Sequence, residues 1–172
     1  MKNIILVGMM SSGKTTIGKK LAQKLGYNFV DLDQLIVEDQ GMEITEIFSQ
    51  HGEAYFRKVE TELLNKLRPD QKLVIASGGG TPCFNNNMET INNLGISVYL
   101  DLPASVLAQR IRRHNKDDRP ILSGAESLED VLNKKISERS PDYNLAHYKI
   151  SAEYSTSELV EIISGYIVEE GV

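Results

Sequence analysis

Eight residues near the start of the chain constrain its fold more than any others: Gly8-Met9-Met10-Ser11-Ser12-Gly13-Lys14-Thr15. They match the spacing G-x-x-x-x-G-K-[ST], a phosphate-binding loop that works only between a strand and a helix. Both neighbours are present. Ile4-Ile5-Leu6-Val7 is a continuous apolar run of the kind found in strands buried on both faces. Ile17, Leu21 and Leu25 then recur every four residues, and Gly26 ends the stripe. Gly8 and Gly13 permit backbone angles and close approaches that a side chain forbids. The turn aims N–H groups inward as a nest for phosphate oxygens, and the positive end of the helix adds to that field. Met10, Ser11, Ser12, Gly13, Lys14, Thr15 and Thr16 are therefore expected to hold the phosphates of a nucleoside triphosphate. Lys14 reaches the outer phosphates, and the Thr15 hydroxyl ligates Mg²⁺.

The rest of the chain alternates short apolar runs with longer helical patterns, which reads as α/β with a parallel sheet. Strands are expected at 3–7, 28–31, 73–76, 97–100 and 148–151. Helices are expected at 14–25, 54–67, 86–94, 104–113 and from 128 to about 139, with a last one opened by Ser157. Ser127 and Asp130 form a capping pattern before the 128 helix. A length of 172 residues suits one domain spanning 1–172. Two segments exceed a plain strand–helix count. Residues 33–61 read as an acidic helical insertion with breaks at Gly41 and Gly52, and 114–126 read as a polar, aperiodic lid.

A net charge of −5 argues against nucleic acid or anionic membrane as partners. No apolar run approaches 18 residues, and the N-terminus does not look like a signal peptide. Cys83 is alone, so no internal disulfide is possible. His51, His114 and His147 lack metal-ligand spacing. A cytoplasmic, monomeric protein is expected.

Asp31-Leu32-Asp33 follows the second strand, at the sheet end where ligands bind. Strand alternation would turn both carboxylates to one side. One would help hold Mg²⁺ and the other accept a proton from a substrate hydroxyl. Gly78-Gly79-Gly80 follows the third strand, where backbone can approach a ligand closely. Arg57 and Arg139, beside that glycine wall, are suited to clamping a carboxylate by bidentate hydrogen bonds. Arg119, in Arg119-Pro120-Ile121-Leu122, is placed to swing over a transferred phosphoryl group. Arg110, Arg112 and Arg113 offer a stacking surface for a base.

Together these elements resemble the shikimate kinase family. The shared pattern is the phosphate loop, Asp-x-Asp, Tyr55-Phe56-Arg57, Gly78-Gly79-Gly80, Arg119-Pro120-Ile121-Leu122 and Glu138-Arg139-Ser140-Pro141-Asp142-Tyr143, in order over nearly the whole length. The resemblance implies a three-layer P-loop kinase fold: a five-stranded parallel sheet flanked by helices, with a substrate-binding insertion and a lid. It implies ATP-dependent phosphorylation of the 3-hydroxyl of shikimate, in chorismate and aromatic amino-acid biosynthesis. It makes Asp33 the residue that binds substrate hydroxyls, with Lys14 and Arg119 also catalytic. Arg57, Arg139, Gly79 and Gly80 become the shikimate site. Asp31 becomes the support of Mg²⁺, and Arg112 and Arg119 become nucleotide contacts. Ile150-Ser151-Ala152 departs from the family at the adenine loop, where an aspartate is common.

Two other functions share part of this pattern. A kinase of gluconate or another small hydroxyl compound shares the loop and lid. A GTPase-type switch is suggested by Asn115-Lys116-Asp117-Asp118, but this follows a charged helix end, and the chain has no D-x-x-G.

Overall fold

The computed structural model describes residues 2–114 and 127–169. Five strands, β1 (Asn3–Val7), β2 (Asn28–Asp31), β3 (Leu73–Ala76), β4 (Gly95–Asp101) and β5 (Tyr148–Ser151), form one sheet in the order β2-β3-β1-β4-β5. All pairings are parallel. β1 sits at the centre with every residue buried, as its unbroken apolar run requires. The helices are α1 (Lys14–Leu25), α2 (Leu32–Gln40), α3 (Ile44–Lys66), α4 (Asn87–Leu94), α5 (Ala104–His114), α6 (Leu128–Tyr143) and α7 (Thr156–Glu169).

β4 begins two residues before the expected start because Gly95 lies against β1. A Cβ there would stand 2.2 Å from the Asn3 carbonyl oxygen. The insertion is more helical than expected. α2 and α3 carry their own buried cluster of Leu32, Ile36, Ile47, Phe56, Val59 and Leu63, apart from the main core. Gly52, at φ 82 and ψ 171, breaks α3 into two helical stretches.

α6 runs past Arg139 and through Pro141 to Tyr143. A proline inside a helix deletes one backbone bond, yet the last turn persists. Tyr143 is fully buried, its ring centroid is 5.0 Å from that of Tyr99, and its hydroxyl donates to the Gly79 carbonyl. Ser155, not Ser157, caps α7: Glu158 donates its N–H to Ser155 Oγ at 3.3 Å, and its carboxylate accepts from the Ser155 N–H at 2.8 Å. No helix among the described residues is long and apolar enough to cross a membrane.

At the amino end of the sheet, buried Asn3 ties three segments together. Its Nδ2 donates to the Arg68 and Leu94 carbonyls at 2.7 and 3.2 Å, and its Oδ1 accepts from Gln71 and Leu73 N–H at 3.0 and 3.1 Å. Asn3→Ala orphans those groups and is expected to cost about 3 kcal/mol by urea denaturation. A loss below about 0.5 kcal/mol would mean that water replaces the side chain.

Candidate active site

The phosphate loop follows β1 directly. Gly8 has φ 141, and a Cβ on it would meet the Leu100 carbonyl oxygen at 2.7 Å, so both angle and space demand glycine. Ser11 is left-handed at φ 61. Gly13 is the N-cap of α1 and supplies no side-chain cap. The opening amides of α1 are thus free of a capping side chain, a ready site for an anion. Lys14 curls back over the loop and donates to the Gly8 and Met9 carbonyls at 2.9 and 2.8 Å. Ser12 is fully buried, and its hydroxyl has no protein partner among the described residues.

Asp31 and Asp33 do meet at the cleft, but not by strand alternation. β2 stops at Asp31, which becomes the N-cap of α2. Its Oδ1 accepts from Asp33 and Gln34 N–H at 3.1 and 3.4 Å. Its Oδ2 accepts from Thr15 Oγ1 at 2.8 Å. Asp33 therefore lies in the first helical turn. Burial, then the Asp31 and Glu60 charges, raises its carboxyl above the ordinary range despite Lys14 and Arg57. Burial lowers Lys14 to about 8, against the pull of Asp33 and Asp31, and Arg139 lowers it further.

The glycine row gathers the remaining charged groups. A Cβ on Gly78 would stand 2.8 Å from Asp33 Oδ1, and one on Gly79 would stand 3.4 Å from Arg139 Nη1. On Gly80 it would stand 2.6 and 2.8 Å from the two Arg57 Nη atoms and 3.0 Å from Cζ. That point lies off the fork end of the guanidinium, where a carboxylate binds bidentately. None of the three has a left-handed φ, so the requirement is space alone.

Glu60 gave no signal in the sequence, yet it organises this corner. It is fully buried. Its Oε1 accepts from Arg57 Nη1 at 2.8 Å, and its Oε2 accepts from Thr81 Oγ1 at 2.6 Å. Cys83 lies nearby, pushed up to about 11 by burial and by Asp142, which leaves an inert thiol at neutral pH.

A cleft of about 530 Å³ runs from Asp33, Ser77 and Gly79 past Lys14 and Thr15 to Ala152, Tyr154 and Leu159. Arg112 does not line it; Arg110, Arg113 and His114 do. These three lie three and four residues apart on one helical face, which Arg112 does not share. Arg110 spans the cleft mouth, donating to the Ser11 carbonyl at 3.3 Å and the Ala152 carbonyl at 3.5 Å. Residues 115–126 of the expected lid, with Arg119 and the Asn115–Asp118 motif, lie outside the described residues.

The family profile described as shikimate kinase matches residues 10–169. This chain belongs to the shikimate kinase family. Curated shikimate kinases that resemble it include one from Sulfurihydrogenibium sp. (strain YO3AOP1), 42% identical with 95% of this chain and 96% of that protein covered. Another, from Clostridium botulinum (strain Okra / Type B1), is 37% identical over 100% of both chains. Among solved structures, the Acinetobacter baumannii shikimate kinase in complex with shikimate superposes with a TM-score of 0.87 at 37% identity, covering 99% of this chain and 94% of the other. A gluconokinase from Sinorhizobium meliloti 1021, at 18% identity and TM-score 0.53, shares the fold alone. The chain is thus a phosphotransferase of the shikimate kinase family that uses ATP, and its fold is the P-loop kinase fold of that family.

Lys14 can meet phosphate charge only as an ammonium, and above its pKa it is a neutral amine. The kcat/KM for ATP is therefore expected to fall as pH rises through about 8. In kcat that limb moves to higher pH, because bound phosphates favour the charged form. A kcat/KM that stays flat to about pH 10 would rule out this role.

Proposed function

We propose that this chain transfers the γ-phosphoryl group of ATP to the 3-hydroxyl of shikimate, within chorismate and aromatic amino-acid biosynthesis. The observation that carries the site assignment is the glycine row, with Asp33, Arg139 and Arg57 set against Gly78, Gly79 and Gly80 in turn, beside the cleft that holds Lys14.

ATP lies along the cleft with its phosphates on the α1 amides and its base toward Tyr154 and Leu159, under Arg110 and Arg113. Shikimate lies between the 33–61 insertion and the glycine row, its carboxylate on Arg57 and Arg139. Asp33 orients the attacking hydroxyl and accepts its proton, a task helped by burial, which makes its carboxylate more basic than usual. The oxygen–phosphorus bond forms in line as the bond to ADP breaks, and positioning supplies much of the rate. Lys14 stabilises the charge on the transferred group. Arg119, outside the described residues, is assigned by the family resemblance to the charge on the transferred group.

Mg²⁺ fits the oxygen donors present. Thr15 Oγ1 and Asp31 Oδ2 adjoin at 2.8 Å, and no group of three His, Cys, Asp or Glu among the described residues forms a cage of its own. That suits an ion held mainly by phosphate and water. Thr15 would hold it directly and Asp31 through water, and it would neutralise phosphate charge. The net charge of −5 gives no long-range attraction to nucleic acid or anionic membrane, in keeping with a free small molecule as the partner.

Asp33→Asn is expected to lower kcat by about 10²-fold or more while the ATP KM stays near that of the parent. Near-normal turnover would remove Asp33 from catalysis. Arg57→Ala and Arg139→Ala are expected mainly to raise the shikimate KM, by about 2–5 kcal/mol in binding terms. Their effect should nearly vanish on an analogue without the carboxylate. Turnover with gluconate in place of shikimate would overturn the substrate assignment.

A further inference from the structure

Arg57 is held by more than its ion pairs. Its Nη1 donates to Glu60, and its Nε and Nη2 reach Glu53 Oε1 at 3.3 and 3.4 Å. These contacts occupy edges of the guanidinium and do not by themselves fix the tilt of its plane. Two rings pack against it, Phe56 with its centroid 5.1 Å from Arg57 Cζ and Phe84 at 4.1 Å, and Phe84 is the nearer. Phe84 is half-buried, yet it belongs to neither hydrophobic core cluster. The contact with the guanidinium has cation–π geometry.

The chain holds that ring in place on both sides. Before it, Thr81 Oγ1 donates to Glu60 at 2.6 Å. After it, Asn85 and Asn86 both adopt left-handed angles, φ 50 and 56. Asn85 and Asn87 each donate to Thr61 Oγ1 at 3.1 Å, one turn along α3 from Arg57. The segment leaving the glycine row is thus fastened to the helix that carries the arginine, with Phe84 between the fastenings.

We propose that Phe84 is a positioning residue for the substrate carboxylate, acting by fixing the plane of the Arg57 guanidinium. Both N–H bonds of a bidentate contact require the fork and the carboxylate to be coplanar, so a tilt weakens both together. This inference rests on the carboxylate-clamp reading of Arg57.

The test is steady-state kinetics on the full chain as Phe84→Leu, Phe84→Tyr and Arg57→Ala. Phe84→Leu is expected to raise the shikimate KM about fivefold, with kcat, the ATP KM and the melting temperature little changed. Phe84→Tyr, which keeps the ring face, is expected to restore the parental KM. In an Arg57→Ala background Phe84→Leu should add nothing. If Arg57→Ala raises KM while Phe84→Leu leaves it within about twofold, the Phe84 inference is overturned and the clamp stands. An equal loss in kcat, or failure of Phe84→Tyr to rescue, also overturns it. An unchanged KM in Arg57→Ala itself would remove the clamp, and this inference with it.

Discussion

Space withheld from side chains along the carboxyl edge of the sheet is the constraint on which both halves of this site depend. Gly8 lets the backbone pass the Leu100 carbonyl, and Gly13 leaves the start of α1 without a side-chain cap. Three strand-edge glycines on the other side leave room for Asp33, Arg139 and Arg57. A methyl group would meet a carbonyl at Gly8, a carboxylate at Gly78 and a guanidinium at Gly80. The sheet supplies rigidity and the glycines supply proximity, so charged groups from α2, α3 and α6 converge on one cleft.

Charge brought that close needs partners. Glu60 has lost all contact with water, and a buried carboxylate is stable only when paired and hydrogen-bonded. Arg57 and Thr81 supply both needs. The Thr81 bond links α3 to the segment after β3, so this corner is braced by a buried hydrogen bond beside the apolar cluster that α2 and α3 carry. Tyr143 braces it from α6, through its hydroxyl on Gly79.

What was legible in the sequence is what is local. The phosphate loop announces itself because strand, turn and helix are contiguous and each fixed residue has its own steric or electrostatic reason. β1, β2, β3 and β5 could be placed from apolar runs for the same reason. Glu60 could not, because a glutamate in a helix looks solvated until the fold delivers Thr81 to it. Asp31 and Asp33 were picked out as a pair, but their meeting comes from a helix cap and not from a pleat. Arg110 and Arg112 are indistinguishable by composition, and only the direction of α5 relative to the cleft separates them. The helix from 128 was expected to end near Arg139, and burial of Tyr143 carries it four residues further, through Pro141.

Lys14 is an ammonium group in surroundings that favour an amine. The fold therefore carries a mismatch that, on the proposed reading of the loop, a phosphate relieves. Proton affinity at this nitrogen and nucleotide affinity at this loop are one coupling free energy seen from two sides, since linkage makes each strengthen the other equally. At alkaline pH, nucleotide binding must then draw a proton from the buffer, and the ligand brings to its site the very charge that holds it.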